Sequence, residues 1–383
     1  MHTSNFIVPS VRHKFMKILH YSPQMSPGRT SALAADLACS LQSDDCHNIV
    51  VAPPSELISR LHTSGVQHFS CRKPNLLTFL REIRRLRKLI RRQAPDVVQV
   101  YSADAAWIVH MACKNPKRMK KVPTLVGSLM GYAKIGSSAL SWSRCHYFTA
   151  GSKHLRKVLQ ADNSPLKCNP WVIPHGIDER LCNPAYRPTD TWMKEWRAAN
   201  PHYTERLSIC VPCALSPLHG LENIAPILTG LLRSGIPAHV YIVGDLRKAR
   251  TAYIEELKTL YANADLTDHI TWLGACPDLR DVLKACDITL SLSEKPATYD
   301  RPILEALALG CPVVGFDHGI VGEYLSAFLP EGRVAPGDIA GVLDTLIQWS
   351  TYLPTPISEI PAPYRLTDTA ATYLKLYQDI TEH

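Results

Sequence analysis

The stretch Ser291–Gly319, SLSEKPATYDRPILEALALGCPVVGFDHG, decides how the rest of the chain is read. An apolar strand carrying Ile288, Leu290 and Leu292 runs into it, a polar loop follows, and a helix opens at Arg301-Pro302-Ile303-Leu304-Glu305. A second apolar strand, Pro312–Phe316, comes almost at once. Pro302 suits the first helical position, where its missing N–H costs nothing, and Asp300 fits the N-cap. The unbonded amides of Ile303 and Leu304 are then expected to point above the strand ends, where a helix N-terminus binds anions. Glu305 sits one turn in. The order strand, loop, helix, strand reads as a ligand corner of a parallel α/β sheet.

Working outward, the same alternation fills the chain. Toward the N-terminus from the quoted stretch come a helix at Leu279–Ala285, a strand at Ile270–Leu273, a helix near Tyr253–Asn263, and a strand at His239–Val243 ending in Gly244-Asp245. A helix at Leu221–Leu232 and the strand opening at Leu207 precede these. Helices at Ile339–Trp349 and Ala370–Ile380 close the chain. Earlier still, a strand at Lys17–Tyr21 leads through the loop Ser22–Arg29, which contains Gly28, into a helix at Thr30–Leu41. Strands follow at Asn48–Ala52, Val66–Ser70, Asp96–Tyr101, Thr124–Leu129, Tyr147–Gly151 and Trp171–Pro174. Strands alternating with helices make a doubly wound α/β domain, and here the pattern occurs twice. Strand, glycine turn and helix at Gly28 suit nucleotide binding, but a plain βα turn reads equally well.

The 383 residues accommodate two domains of ordinary size, and 46% hydrophobic with 20% charged residues is a folded composition. The formal charge of +8 favours an anionic partner. The 12 cysteines are scattered through apolar segments and read as buried thiols in a reducing compartment. One CxxC, Cys210–Cys213, lies at the end of a strand, where positions three apart face opposite sides. No run approaches the length of a membrane-spanning helix, and residues 1–15 lack the pattern of a signal peptide. They read as a disordered extension, with Met16 an alternative start to Met1.

Leu76–Arg92 reads as an amphipathic helix, with Leu76, Phe79, Leu80, Ile83, Leu86 and Ile90 on one face. Arg81, Arg84, Arg85, Arg87, Lys88, Arg91 and Arg92 stand on the other beside Glu82. Such a run is commonly a solvated face; its density also suits an anionic membrane surface, where each basic residue contributes about 1 kcal/mol. Lys114, Lys117, Arg118, Lys120 and Lys121 form a second cluster. Nucleic acid is disfavoured, because no aromatic residues interleave with these charges. A nicotinamide-dependent oxidoreductase is disfavoured by the absence of a GxGxxG followed by a spaced acidic residue.

Together with Val172-Ile-Pro-His-Gly-Ile-Asp178 and Pro336-Gly-Asp338, the stretch Ser291–Gly319 resembles retaining glycosyltransferases of the family-4 type, in particular the bacterial subgroup that builds lipopolysaccharide or other surface glycans. The resemblance runs from Met16 nearly to the C-terminus. It implies a GT-B fold, two tandem Rossmann-like domains facing each other across a cleft. The expected division is an acceptor-side domain over 16–183, a proline-rich connector over 184–206, a nucleotide-sugar domain over 207–363, and a C-terminal helix over 364–383 that is a candidate to pack back on the first domain. A hexosyltransferase-type activity with a nucleotide-sugar donor and a glycan or glycolipid acceptor is implied, in the cytoplasm and peripheral on the inner face of the membrane. No metal is expected.

The resemblance also assigns residues. Glu305 takes the place of the glutamate that holds the ribose hydroxyls, chemistry a carboxylate suits because it accepts two hydrogen bonds at once. Gly28, Gly244, Ile303 and Leu304 complete the expected donor and first-loop set. Several family residues are replaced: a glutamate by Ala297, a glycine by Asp300, the diphosphate-gripping arginine and lysine by Ala214 and His219, a histidine by Met130, and a first-loop glycine by Arg29. His219 and Arg301 are the candidates to supply the charge, with Arg29 beside the first loop. A catalytically degenerate relative, acting as partner or scaffold of an active enzyme, is the alternative these replacements leave open.

Overall fold

The computed structural model describes residues 15–23, 29–55, 57–72, 78–114, 119–131, 135–161, 164, 166, 168–276, 278–355 and 357–382. Gly28, Leu76, Lys117, Arg118 and all of the N-terminal extension except Phe15 lie outside these residues.

The first sheet is built from β1 (Met16–Tyr21), β2 (Cys46–Ala52), β3 (Gln67–Ser70), β4 (Val97–Val100), β5 (Thr124–Leu129), β6 (Tyr147–Ala150) and β7 (Trp171–Val172). Between them run α1 (Arg29–Leu41), α2 (Leu57–Thr63), α3 (Phe79–Gln93), α4 (Ala103–Cys113), α5 (Ile135–Trp142) and α6 (Lys153–Gln160). The strand order is β3-β2-β1-β4-β5-β6-β7. The second half opens with α7 (Asp190–Ala199) and continues with β8 (Leu207–Pro212), α8 (Ile224–Arg233), β9 (Ala238–Val243), α9 (Thr251–Asn263), β10 (Ile270–Gly274), α10 (Leu279–Ala285), β11 (Ile288–Ser291), α11 (Arg301–Ala308), β12 (Val313–Phe316), α12 (Gly319–Phe328), β13 (Arg333–Val334) and α13 (Ile339–Thr351). Its sheet has the order β10-β9-β8-β11-β12-β13, with parallel pairing throughout. α14 (Leu366–Asp379) ends the fold.

Both sheets are doubly wound Rossmann-like sheets. Their central strands, such as VVQV in β4 and VVGF in β12, are buried along their whole length, as strands covered by helices on both faces must be. In each sheet the order reverses beside the first strand, at β1/β4 and at β8/β11. Loops on either side of such a reversal diverge and leave a crevice at the carboxyl ends.

The chain divides into two compact units, one of residues 1–129, 134–149 and 370–383 and the other of 130–133 and 150–369. The first unit includes most of α14, whose Tyr373 hydroxyl lies 3.1 Å from Thr149 Oγ1 and 3.4 Å from Ser128 Oγ. Tyr377 donates to Gln99 Oε1 at 3.1 Å. These bonds lie in the buried interior of that unit, where an unpaired hydroxyl is costly. In the second unit Ser152 Oγ caps α6 by accepting from the Leu155 amide, and the Glu323 carboxylate accepts from the Lys153 and His154 amides.

Local departures from the sequence reading have simple causes. The helix expected over 221–232 begins as a 3-10 turn at Leu221–Asn223, and the α-helix proper starts at Ile224. Pro226 then falls in the first turn, where no intrahelical N–H is needed. Within the proline-rich 184–206 stretch a helix forms, because Thr189 Oγ1 accepts from the Trp192 amide and Trp192 and Trp196 stack one turn apart at 5.2 Å. All 12 cysteines are free. Glu82 is not on the cationic face of α3: it is buried, faces Tyr21, and burial raises its carboxyl pKa.

Two fully buried histidines weaken this fold in acid. His20 is fully buried between Tyr101 Oη at 2.7 Å and Asn48 Oδ1 at 3.1 Å, and burial lowers its pKa to about 4. His175, packed edge-on against Tyr299, is lowered to about 4 for the same reason. In the unfolded chain both protonate near the usual value of about 6.5. Their contribution to stability is therefore complete above that pH and is lost as pH falls toward 4. We expect stability to fall steadily between those limits, by roughly 1 kcal/mol per histidine per pH unit, and the melting temperature to drop with it. In His20→Gln, which removes one titrating group, the melting curve recorded across that range should be flatter.

Candidate functional site

The quoted stretch lies beside the reversal point of the second sheet. β11 ends at Ser291, its loop continues to Asp300, and α11 rises from there. Asp300 Oδ1 accepts from the Ile303 amide at 3.4 Å, and the Asp300 carbonyl accepts from the Leu304 amide at 3.2 Å. The first-turn amides of Ile303 and Leu304 are therefore occupied, not free as the sequence leads one to expect. A short acidic side chain at the N-cap reaches back to its own helix more readily than a ligand can arrive. The side chains of Ile303 and Leu304 point into the core. What they offer a ligand is backbone, and only if Asp300 yields it.

Glu305 and Arg301 face each other one turn apart. Arg301 Nε donates to Glu305 Oε1 at 2.7 Å; 14% of the Glu305 side chain is exposed, against 35% of the arginine. The same loop is tied down elsewhere. Thr298 Oγ1 donates to the Met130 carbonyl at 3.0 Å, and Ala297 accepts from the Ile320 amide at 2.8 Å.

The turn after β8 forms the other wall. Residues Pro217–His219 make a 3-10 turn, and His219 Nδ1 lies 3.1 Å from Ser293 Oγ. The Glu294 amide donates to the Leu218 carbonyl at 3.2 Å. Gly220 follows at φ +62°, and a Cβ there would meet the Leu292 carbonyl oxygen at 2.2 Å. Gly244, just beyond β9, is equally crowded, since a Cβ would lie 2.5 Å from the Cys213 carbonyl oxygen. The structure thus brings His219, Gly244, Arg301 and Glu305 to the carboxyl ends of three neighbouring strands, with Ala214 and Ala297 in the same loops. Ser293 joins them; sequence reading passed over it because a serine two residues beyond a strand carries no signal of its own. The Arg301–Glu305 pair was legible in the i,i+4 spacing. Among the described residues, no group of three or more His, Cys, Asp or Glu is placed to hold a metal ion.

The cationic helix α3 is a second surface, and its charges are not equivalent. Arg87 is turned inward, with Nε and Nη2 donating to the carbonyls of Ala112 and Met111 at 3.0 and 2.8 Å. It thereby satisfies the C-terminal end of α4, where a cation is favoured. Arg85 donates to the Ser70 carbonyl. Arg81, Arg84, Lys88, Arg91 and Arg92 are exposed, with Leu80 63% exposed at the start of the helix. Lys114, the C-cap of α4, follows the two carbonyls that Arg87 reaches.

Two family models match the chain, Glycosyltransferase Family 4 over residues 31–181 and Glycosyl transferases group 1 over residues 193–350. A glycosyltransferase from Rickettsia africae superposes with a TM-score of 0.81 at 17% identity, covering 96% of this chain and 99% of that one. HepE from Anabaena, solved with UDP-glucose, gives 0.70 at 18% identity, covering 96% and 98%. The lipopolysaccharide outer core galactosyltransferase WaaB gives 0.67 at 13% identity, covering 95% and 100%. At such identities these likenesses establish the fold. No curated protein sequence matches the chain.

Gly220 is the position on which the site's shape can be checked. Gly220→Ala forces a side chain into the left-handed region and against Leu292, so thermal melts should show a loss of more than about 1 kcal/mol. An unchanged melting temperature would mean that the turn after β8 stands away from β11.

Proposed function

We propose that this chain, a GT-B protein with a family-4 N-terminal half and a glycosyl transferases group 1 C-terminal half, transfers a hexose from a nucleotide-sugar donor to a surface-glycan or lipopolysaccharide precursor, with retention at the anomeric carbon. The donor occupies the crevice at the carboxyl ends of β8, β9 and β11. Glu305 accepts the ribose hydroxyls. His219 and Arg301 face the diphosphate, and the charge that develops on the departing phosphate is met by these side chains without a metal. A preorganised donor of this kind typically contributes about 2.7–4 kcal/mol to the transition state.

The observation that carries the reading is the placement of Glu305, a half-buried carboxylate one turn into the helix at the sheet's reversal point, where nucleotides bind in folds of this type. The UDP and UDP-glucose complexes of HepE support a nucleotide donor, and WaaB supports a lipopolysaccharide acceptor. The second reading, a degenerate partner or scaffold of an active enzyme, is favoured by one finding. The Asp300 carboxylate takes the Ile303 amide, a first-turn donor that would otherwise meet a phosphate.

A thermal-shift titration separates the two. A nucleotide that binds the folded chain stabilises it by mass action, by about 2.7 kcal/mol at a hundredfold excess over Kd, and so raises its melting temperature. UDP, GDP or ADP should produce that shift, and Glu305→Ala should abolish it. Silence from all three points to the scaffold. Incubation with the matching nucleotide sugars then tests turnover, and the anomeric configuration of the product tests retention.

The protein works on the inner face of the cytoplasmic membrane, held there by the exposed cations of α3. No helix among the described residues is long and apolar enough to cross a membrane, so the contact proposed is electrostatic, worth about 1 kcal/mol per basic residue at an anionic surface. Sedimentation with anionic lipid vesicles should recover the protein, and reversal of Arg81, Arg84, Lys88, Arg91 and Arg92 to glutamate should release it. Arg87 is left alone because it caps α4. Binding that survives the reversal rules this surface out.

A further inference from the structure

Four consecutive residues of the loop that leads into α11 are each held by a different part of the second compact unit. The Ala297 carbonyl accepts from the Ile320 amide at 2.8 Å, Thr298 Oγ1 donates to the Met130 carbonyl at 3.0 Å, and Asp300 Oδ1 accepts from the Ile303 amide at 3.4 Å. Tyr299, itself buried, is met by the ring of His175, edge to face with centroids 5.0 Å apart. His175 stands on fixed ground. The Leu366 amide donates to the Ile177 carbonyl at 2.9 Å, Thr369 Oγ1 donates to the Pro174 carbonyl at 2.9 Å, and a Cβ on Gly176 would lie 2.4 Å from the Arg365 carbonyl oxygen. Gly151 makes room for the imidazole, since a Cβ there would come within 2.5 Å of His175 Nε2.

Of the four contacts, the one made by His175 weakens the fold. Its Nδ1 and Nε2 are both buried, and neither has a hydrogen-bond partner among the described residues. A buried polar atom without a partner is destabilising, and an apolar side chain of similar size would carry no such penalty. Polar groups left unpaired in a core collect where function needs them. We propose that His175 is a positioning residue of the donor crevice: its ring orients Tyr299, and through Tyr299 the start of the helix that carries Glu305, at the expense of stability. The inference rests on the donor-site reading above. Two rings set edge to face attract through the positive edge of one and the negative face of the other, a directional preference that an aliphatic side chain lacks. Near neutral pH the imidazole is uncharged, because burial lowers its pKa to about 4. His175 acts on a ligand only through Tyr299.

The test is calorimetric titration of the full chain with UDP, GDP and ADP, together with thermal melts near neutral pH, in wild type, His175→Met, Tyr299→Leu and the double variant. Methionine fills irregular space without adding a hydrogen-bonding group that must be paired. For the nucleotide that the wild type binds, His175→Met should bind about two- to tenfold more weakly, the worth of an edge-to-face pair. Its melting temperature should equal or exceed that of the wild type, because both unpaired nitrogens are gone. Tyr299→Leu should lose affinity to the same extent, and the double variant no more than either single one, since one contact is removed in all three. Additive losses, an unchanged affinity in His175→Met, or a melting temperature that falls along with the affinity overturn the proposal and leave His175 an ordinary core residue. His175→Leu stands in if the methionine variant does not fold, and loss of the fold in both overturns the proposal. A wild type that binds none of the three nucleotides removes the donor-site reading and this inference together. Nucleotide binding that the variants retain in full removes this inference alone.

Discussion

At Gly220 the backbone turning away from β8 passes so close to the end of β11 that a Cβ would sit 2.2 Å from the Leu292 carbonyl oxygen. That approach fixes the rest of the corner. It allows the Glu294 amide to reach Leu218 and brings His219 to Ser293. Gly244 repeats the arrangement one strand over, against the Cys213 carbonyl. Glycine is costly in the unfolded chain because it has the most freedom to lose, and here that cost accompanies loops that lie on one another without side chains between them. The crevice walls are therefore backbone, held by the sheet, and the few side chains that project from them are the ones with chemistry to offer.

The electrostatics of the corner differ from a bare helix terminus. A capping aspartate stabilises a helix by neutralising its N-terminal amides, and Asp300 does so here. The cap and an incoming phosphate want the same donors. The adjacent residue, Arg301, carries a guanidinium at the same helix start. In turn Arg301 needs an anion of its own, and Glu305 supplies it one turn along. Three neighbouring charged side chains at this helix start are thus engaged within the chain itself.

On α3 the same division appears at the scale of a whole helix. Glu82, Ile83, Leu86 and Ile90 are buried, Arg87 ties the helix to the end of α4, and the outward cations remain available. A run of basic residues read from sequence looks uniform. Packing makes it a structural cation beside a charged surface.

The sequence by itself determined the two doubly wound sheets, because strands buried on both faces must be largely apolar and the helices between them must be amphipathic, and both patterns are written in β12 and α3. It also placed Glu305, Arg301 and Asp300 at a helix start, since N-cap and proline preferences act over a few residues. It left α7 unread, because two tryptophans one turn apart declare a helix only once they have a core to stack against. It could not tell that Glu82 turns inward or that Ser293 meets His219. Those outcomes depend on distances between segments far apart in the chain, and only the packing of the turn after β8 against the end of β11, and of α3 against β1 and α4, decided them.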